Sequence, residues 1–380
     1  MESIPFDNPL RRQVMSLPQL MREQYQDLEP KTRTILSTPE IFHIQRIILT
    51  GCGDSFAAIL AVKDAFEKLT KMRIEVVPTV ELARLYDSRQ LGFAPHNPLV
   101  IAVSNSGAVS RVGEALARCN RLGAFTLGIT GNEDSVLAQN AQRVLKLDIP
   151  PFESAPGTRT YMCSVMVLYL LAIRIGEVRG RYTMDTARSH RKDILAHADA
   201  LEALLPQMDQ TARQLAEQWK DFPAFDFLGT GMDYGAAWYS HAKVLESIGR
   251  YAMHINTEEW LHLNFFVREA ATMGTVVYCT KSNPAWSRTL ETIGYAAQLG
   301  RPLAVITDAQ PEEIGTPATY FQVPKTKHDY AMALSQFTPV CLLMGYIQAM
   351  IGEKSGRGCE GPWAFAKGAA CVRQSQWVEY

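Results

Sequence analysis

Hydrophobic residues in the first half of the chain fall into short continuous runs that alternate with segments of helical spacing. The runs, such as 46–50 and 99–103, are rich in Ile, Leu and Val and suit strands buried on both faces. The segments between them place apolar side chains three or four positions apart, which is typical of helices. We therefore predict strands at 46–50, 74–78, 99–103, 125–130 and 143–147, and helices at 55–69, 80–86, 109–121, 134–140 and 162–176. Strands that alternate with helices predict an α/β fold with a parallel sheet covered on both faces.

The second half repeats this pattern after an amphipathic helix at about 185–220, which we expect Pro206 to break. The repeat consists of strands at 225–228, 252–255, 274–279 and 303–307, a helix at 236–249 and a long apolar helix at 331–351. A repeated order of elements indicates an internal duplication. We therefore divide the chain into a helical arm at 1–45, a first domain at 46–200, a second domain at 201–355 and a tail at 356–380 that closes the active site.

Small and hydroxyl-bearing residues follow two of the predicted strands in the first half. Gly51–Ser55 follows the strand 46–50, and Ser104–Gly107 follows the strand 99–103. The carboxyl ends of parallel strands open at one edge of a sheet, so the two turns should lie close together. Neither turn contains Lys or Arg, which suits a phosphate monoester held by hydroxyls, backbone N–H groups and helix dipoles. A single turn of this kind is common in α/β proteins that bind nothing there. The candidate phosphate ligands are Gly53, Ser55, Ser104, Asn105 and Ser106.

Composition and charge exclude several other classes of protein. The 380 residues carry a formal net charge of −1, so no basic surface for nucleic acid is expected. The seven cysteines are dispersed without a Cys-x-x-Cys pair, which indicates reduced thiols and a cytoplasmic protein. The N-terminus lacks a signal-peptide pattern, and the longest apolar runs are too short to span a membrane. We expect no metal, because the histidines show no ligand spacing at His43, His96, His241, His254 and His262.

The two turns resemble the paired signatures of the sugar isomerase (SIS) domain family. The similarity is greatest to the isomerase half of glutamine–fructose-6-phosphate aminotransferases, and the ending Val-Glu-Tyr resembles that of fructosamine-6-phosphate deglycases. The chain departs from the family pattern at Asp54 in the first turn, and at Val109, where relatives have a threonine. The resemblance implies two SIS domains, each a parallel sheet flanked by helices in a flavodoxin-like three-layer sandwich.

Two residues of the second half match catalytic positions of that family. Lys243 and Glu246 are three positions apart on the predicted helix 236–249, so they share a face, and an ordinary solvent-exposed ion pair would have the same spacing. Glu246 precedes His262 by 16 positions. In the aminotransferases the acid that moves a proton between C1 and C2 precedes the ring-opening histidine by the same interval. The resemblance therefore implies that Glu246 transfers the proton and His262 opens the sugar ring. Lys243, or Lys367 near the C-terminus, would stabilise the open-chain carbonyl or imine.

Further candidate residues come from the resemblance alone. Lys367 keeps the five-residue step from Pro362 found in a C-terminal segment of the relatives, whose lysine reaches the open-chain carbonyl. A mobile surface lysine is the simpler interpretation. Thr158 falls in a loop that lines the sugar site in the relatives, and Glu259 matches an acid next to the histidine.

These observations together predict an enzyme that acts on a 6-phosphorylated sugar or amino sugar without a cofactor. Isomerase, amino-sugar-phosphate deaminase and fructosamine-phosphate deglycase share the proton-transfer step, and the sequence leaves all three open. A non-catalytic sugar-phosphate-binding regulator is the alternative, since it would keep the two serine turns. The resemblance implies a homodimer with a shared active site, in which His262 belongs either to its own or to the neighbouring subunit. No partner that is a nucleic acid or a membrane is expected.

Overall fold

The computed structural model describes residues 5–92, 97–354 and 360–378, and the following elements lie within them. The strands are β1 Arg46–Gly51, β2 Arg73–Val76, β3 Leu99–Val103, β4 Phe125–Thr130, β5 Arg143–Lys146, β6 Ala224–Leu228, β7 Tyr251–Ile255, β8 Met273–Tyr278, β9 Leu303–Thr307 and β10 Thr319–Gln322. The helices are α1 Pro9–Met15, α2 Leu17–Thr34, α3 Thr38–His43, α4 Asp54–Thr70, α5 Thr79–Arg84, α6 Ser110–Arg121, α7 Val136–Gln139, α8 Thr158–Val178, α9 Met184–Trp219, α10 Tyr234–Ser247, α11 Thr257–His262, α12 Trp286–Gln298, α13 Pro311–Ile314, α14 Thr338–Met350 and α15 Ala370–Arg373. Short 3₁₀-helices include Gly231–Asp233, Asp329–Leu334 and Gly361–Ala369.

The strands form two five-stranded sheets, and every pairing in them is parallel. The first sheet has the order β2-β1-β3-β4-β5. The second has the order β10-β9-β8-β6-β7, which is the same order when β6 to β10 stand for β1 to β5. The predicted parallel α/β fold is therefore confirmed, and so is the duplication at the level of topology.

The chain divides into two compact units, one around each sheet. We call Arg22–Pro150, Thr160–Lys192 and the described tail the first-sheet unit. The second-sheet unit comprises Pro151–Arg159, Asp193–Ser355 and the first helical residues up to Met21, as far as they are described. Each unit is described separately below, and the domain boundaries at 45, 200 and 355 stay predictions.

The core of the first-sheet unit lies against the central strands β3 and β4, all of whose residues are buried. A strand with helices on both faces has no solvent side, which explains why these segments read as continuous apolar runs. Val100 packs with Leu82 of α5, Leu116 of α6 and Leu137 of α7 in one cluster. Full burial of each such side chain stabilises the fold by about 1.5–3 kcal/mol.

Two predictions about helices were wrong, and each concerned a segment that contains a proline. Helix α9 runs without interruption from Met184 to Trp219 with Pro206 inside it, although we expected a break there. The segment 331–351 is not one helix, because a 3₁₀-helix ends at Leu334 and α14 begins at Thr338. Pro339 lies in the first turn of α14, where its missing N–H has no intrahelical acceptor to lose.

Within the described residues, two helical segments are long and apolar enough by composition to cross a membrane. They are Thr158–Val178 and the segment Asp329–Met350, and 83% and 94% of their apolar windows are buried inside the structure. Burial of this extent is typical of core helices, and by length and composition alone such segments are weak indications of a membrane span.

His197 gives the second-sheet unit a predictable response to acid. Its side chain is buried, Nε2 lies 2.7 Å from Ser335 Oγ, and burial lowers the pKa of the imidazole to about 3. The unfolded chain takes up this proton near pH 6.5, whereas the folded chain does not, so stability present above pH 6.5 is lost as the pH falls toward 3. The loss should reach at most about 1.4 kcal/mol per pH unit.

We expect His197→Gln to flatten the dependence of the melting temperature on pH between 6.5 and 4. Glutamine can keep a hydrogen bond to Ser335 but cannot take up a proton in this range. The exposed His43 provides the control, since His43→Gln should leave the wild-type slope in place. If the melting temperatures of wild type and His197→Gln change equally with pH across this range, the low pKa assigned to His197 is wrong.

Candidate functional site

The two glycine-containing turns lie next to each other at the carboxyl edge of the first sheet. Strands β1 and β3 are neighbours, and Gly51 pairs with Val103, the last residue of each strand. Helix α4 begins three residues after Gly51, and α6 begins after the second turn. The N-cap residues Gly53 and Val109 place no side-chain hydrogen bond on the first turn of these helices. The structure therefore brings two helix amino ends to one edge of the sheet, where the positive ends of their dipoles suit an oxyanion.

The candidate phosphate ligands are held in these turns by backbone contacts. The Asn105 carbonyl accepts hydrogen bonds from the Gly131 N–H, at 2.9 Å, and from Thr130 Oγ1, at 3.2 Å. Ser104 is buried, Asn105 is half-buried and Ser106 is exposed, so the turn leads from the sheet to the surface. Ser55 follows Asp54 in the first turn of α4. The structure thus places Gly53, Ser55, Ser104, Asn105 and Ser106 at one edge, as the sequence predicted, and their binding role stays a prediction.

Gly53 and Gly107 offer a matched pair of substitutions in the two turns. Both have positive φ angles, +55° and +62°, so an alanine side chain strains the backbone at either position. A Cβ at Gly53 would meet nothing within 4 Å, whereas a Cβ at Gly107 would collide with Ser135 Cβ and Oγ. We expect Gly107→Ala to lose a further ~1–3 kcal/mol and to weaken phosphate binding much more than Gly53→Ala. Urea unfolding and phosphate titration of both variants would measure this, and equal effects would contradict the packing described.

Lys243 and Glu246 of α10 form an ion pair, but it is not the solvent-exposed pair that their spacing suggested. The Lys243 side chain is fully buried, and its Nζ lies 2.5 Å from Glu246 Oε2. The Glu246 side chain is 42% exposed, so the pair reaches from the interior to the surface. Nζ also lies 4.6 Å from the centroid of the Tyr239 ring. A buried ammonium is tolerated only with such partners, so this pair differs from an ordinary surface ion pair.

A chain of contacts connects Lys243 with Thr158, the predicted substrate-binding residue. The Tyr239 hydroxyl donates a hydrogen bond to the Gly157 carbonyl at 3.2 Å. Cys341 Sγ lies 3.7 Å from that hydroxyl and 3.8 Å from Thr158 Oγ1. Thr158 is buried, and its hydroxyl donates to the Pro156 carbonyl at 3.0 Å. Sequence reasoning missed Tyr239 and Cys341, although Tyr239 precedes Lys243 by four positions and so shares its helix face.

His262 is an exposed residue at the end of α11. Its Nε2 lies 3.3 Å from Glu258 Oε1, and both side chains are more than half exposed. Arg288 donates to the other oxygen of Glu258 at 2.7 Å, and this hydrogen bond lowers the pKa of the Glu258 carboxyl. The predicted residue Glu259 is exposed, and its backbone N–H donates to Asn256 Oδ1, the N-cap of the helix, at 2.9 Å. The His262 side chain therefore lies at the surface of its unit, where a ligand can reach it.

Glu246 and His262 lie at opposite edges of the second sheet. Helix α10 starts at the carboxyl end of β6 and runs back over 14 residues, about 21 Å, so Glu246 lies near the amino edge. Strand β7 is parallel to β6, with Leu228 paired to Ile255, and His262 follows its carboxyl end. The structure does not bring the predicted acid and imidazole of one chain together.

Lys367 lies in the described tail, within the first-sheet unit. It is exposed and has an extended backbone (φ −50°, ψ 136°), directly before the left-handed residues Gly368 and Ala369. The tail continues along α6, where Ser110 Oγ donates to the Arg373 carbonyl at 2.6 Å and Arg111 donates to Ser375 Oγ at 3.0 Å. Ser110 begins the helix that follows the second turn, so the tail is attached beside the phosphate candidates. The ending Val-Glu-Tyr lies partly outside the described residues.

The histidines noted in the sequence form no metal cluster within the described part of the chain, where no group of three or more potential ligands is placed for an ion. The rings of His241 and His254 contact each other with their centroids 4.4 Å apart and their planes tilted by 53°. Burial lowers the pKa of both, that of His254 to about 4. They therefore stay neutral at physiological pH beside the buried Lys243. His96 lies outside the described residues.

Comparison with known proteins finds a family similarity in the first half of the chain. Residues 40–174 match the SIS domain family. A curated relative, glutamine–fructose-6-phosphate aminotransferase [isomerizing] of Mycolicibacterium smegmatis, is 28% identical over 212 residues, which are 56% of this chain and 33% of the relative. The match thus spans about a third of that relative's length.

Solved structures share the fold over nearly the whole chain. The C-terminal domain of glucosamine-fructose-6-phosphate aminotransferase from Francisella tularensis superposes with a TM-score of 0.78 at 16% identity, covering 89% of this chain and 97% of that one. Tagatose-6-phosphate ketose/aldose isomerase from Escherichia coli gives a TM-score of 0.71 at 18% identity, covering 91% and 94%. The predicted double SIS fold is confirmed by these similarities.

Proposed function

We propose that the protein is a phosphosugar isomerase-type enzyme acting on a 6-phosphorylated sugar or amino sugar, because residues 40–174 match the SIS domain family and the second sheet repeats the topology of the first. The observation that carries this proposal is the buried Lys243 beside the half-exposed Glu246. A binding protein has no need to bury an ammonium next to a carboxylate, whereas proton transfer between carbons needs a positioned carboxylate. The names of the curated and structural relatives support the same class of reaction.

In this proposal the phosphate is a handle for the sugar. Ser55, Ser104, Asn105 and Ser106 bind it together with the N–H groups at the amino ends of α4 and α6. The binding energy of a remote phosphate positions the carbons that react, so losing it lowers turnover as well as affinity. Asp54 carries the like charge of a phosphate, and its presence in the first turn distinguishes this site from those of the relatives that it resembles.

Glu246 transfers the proton in our proposal. Its carboxylate takes a proton from one of the two adjacent carbons of the open-chain sugar and returns it to the other, while the hydroxyl proton moves from the oxygen of the first carbon to the oxygen of the second, so the sugar is isomerised without a net change in atoms. Lys243 holds the carboxylate in place and supplies positive charge where the enediolate oxygen develops negative charge. Thr158 and Glu259 would contact the sugar, and Lys367 of the tail would reach its carbonyl or imine carbon.

We infer that a second copy of the chain provides the ring-opening histidine. His262 is exposed and lies at the edge opposite to Glu246, so one copy cannot use both in one site. A two-fold dimer solves this problem, because each subunit can offer His262 to the site of its partner. Imidazole suits ring opening, since it exchanges protons near neutral pH.

The substrate and reaction within this class can be determined by product analysis. We would incubate the protein with fructose-6-phosphate, glucosamine-6-phosphate and a fructose–amino-acid 6-phosphate. Aldose formation alone would indicate an isomerase, ammonia release a deaminase, and release of a free amino acid a deglycase. Saturable binding of these compounds without turnover of any would contradict the enzyme and favour a sugar-phosphate-binding regulator.

A further inference from the structure

The second-sheet unit has a turn in the position that the first phosphate turn occupies in the first-sheet unit. Gly51 ends β1 and Gly53 follows it, and Gly229 and Gly231 stand at the corresponding positions after β6. Gly231 has a φ of +58°, close to the +55° of Gly53. Asp233 stands two positions after Gly231, just as Ser55 stands two positions after Gly53. Asp233 therefore holds the place of a predicted phosphate ligand.

The carboxylate of Asp233 is surrounded by hydrogen-bond donors. Gln336 Nε2 donates to Oδ1 at 2.7 Å, and Asn283 Nδ2 donates to Oδ2 at 2.9 Å. Thr280 donates twice, from Oγ1 at 2.5 Å and from its backbone N–H at 3.2 Å. All four residues are more than nine-tenths buried. Amide N–H groups can only donate, so this set of partners is complementary to an oxyanion.

Two of the three donor residues, Thr280 and Asn283, come from the counterpart of the second phosphate turn, and Gln336 comes from the segment just before α14. The Cys279 N–H donates to the Ile306 carbonyl after β8, just as the Ser104 N–H donates to the Ile129 carbonyl after β3. Thr280 thus corresponds to Asn105. The segment that would surround a phosphate in this unit surrounds a side chain of the protein instead.

Burial and hydrogen bonding act on this carboxyl in opposite directions. Burial raises the pKa of Asp233, and the hydrogen bonds from Thr280, Asn283 and Gln336 oppose that shift. Asp233 is also the N-cap residue of α10, where a negative charge faces the positive end of the helix dipole. The helix anchored in this way carries Lys243 and Glu246.

We propose that Asp233 is a built-in oxyanion that fills a second anion site, so that each chain binds one sugar phosphate and not two. Duplication of the fold duplicated the turn, and an aspartate at the position of Ser55 closes the second copy to ligands. Removing the carboxylate should uncover a latent site for a small oxyanion such as formate. Formate binding and thermal stability can both be measured without any turnover of a sugar phosphate.

The test compares three proteins: the wild type, Asp233→Ala and Asp233→Asn. The alanine variant leaves a cavity lined by the four donors, whereas asparagine fills the space, removes the charge and replaces one acceptor oxygen by an NH₂ donor. We expect both variants to melt at lower temperature than the wild type, since buried donors lose their acceptor. Sodium formate should raise the melting temperature of Asp233→Ala in proportion to the logarithm of its concentration, and sodium chloride of equal ionic strength should not. Formate should leave wild type and Asp233→Asn unchanged relative to chloride.

Two further variants cover a failure of Asp233→Ala to fold and binding of formate at the first turn. If Asp233→Ala does not fold, Asp233→Ser, which gives the second turn the residue of the first, takes its place. To exclude binding at the first turn, the titrations are repeated in a Ser104→Ala/Ser106→Ala background, where the response to formate should persist. Failure of formate to stabilise the cavity variant, or equal stabilisation of Asp233→Asn, would overturn the proposal. A wild-type protein that binds two sugar phosphates per chain in calorimetry would overturn it as well.

Discussion

Replacement of Glu246 by glutamine should lower turnover by roughly 10²–10⁴-fold while changing the affinity for the sugar phosphate only a few-fold. Glutamine keeps the size of the side chain and its hydrogen-bonding reach to Lys243, but it cannot accept a proton from carbon. The phosphate turns belong to the other unit and are unaltered, so the main source of binding energy remains. The measurement is kcat from product formation, together with Kd from calorimetry on the inactive variant.

A matched control for this variant exists on α4. Lys63 and Glu67 form an exposed i,i+4 ion pair of 3.2 Å, the kind of pair that the spacing of Lys243 and Glu246 also allowed. Glu67→Gln should leave turnover at the wild-type value, because an exposed pair stabilises a helix by only about 0.3–0.5 kcal/mol. If Glu246→Gln keeps wild-type turnover, the catalytic assignment of α10 is wrong.

Mixing two inactive variants, Glu246→Gln and His262→Asn, should restore activity. In a dimer whose sites each combine Glu246 of one subunit with His262 of the other, a mixed dimer has one site with both changes and one intact site. An equal mixture with free exchange of subunits should therefore regain about a quarter of wild-type activity. This expectation follows from the position of the two residues at opposite edges of the sheet.

The control is a chain that carries both substitutions. Mixed with wild type, it forms dimers in which each site has one altered residue, so it should lower activity rather than restore it. Subunit exchange has to be demonstrated independently, for example with subunits that carry different tags. Exchange without recovery of activity, or an active monomer in sedimentation, would exclude the shared site.

The buried strands were predictable because their environment is uniform. Leu99–Val103 and Phe125–Thr130 have the predicted bounds, since helices cover both faces and each position must be apolar or small. Strand β10 was missed because it is a four-residue edge strand in which only Phe321 is buried. Pro206 misled the prediction of α9, because the packing of a 36-residue helix outweighs the loss of one hydrogen bond.

Some features of the candidate site were likewise predictable from the sequence, and others were not. The glycine and serine turns could be located from the chain, because a turn after a strand is a local structure and its edge follows from parallel topology. The burial of Lys243 and the separation of Glu246 from His262 could not be predicted from the chain. Both depend on the direction in which α10 runs against β6 and β7. The three-residue spacing alone fitted an exposed pair equally well.

The order of residues thus determined the elements, the duplication and the edge at which hydroxyl-bearing turns meet, because these properties depend on neighbours within about fifteen positions. Only the tertiary structure decided that Lys243 lies in the interior and that Asp233 fills the second turn. Asp233 meets Thr280 and Gln336 across separations of 47 and 103 positions. No local pattern records such contacts, because the free energy of a buried charge depends on groups that only folding brings together.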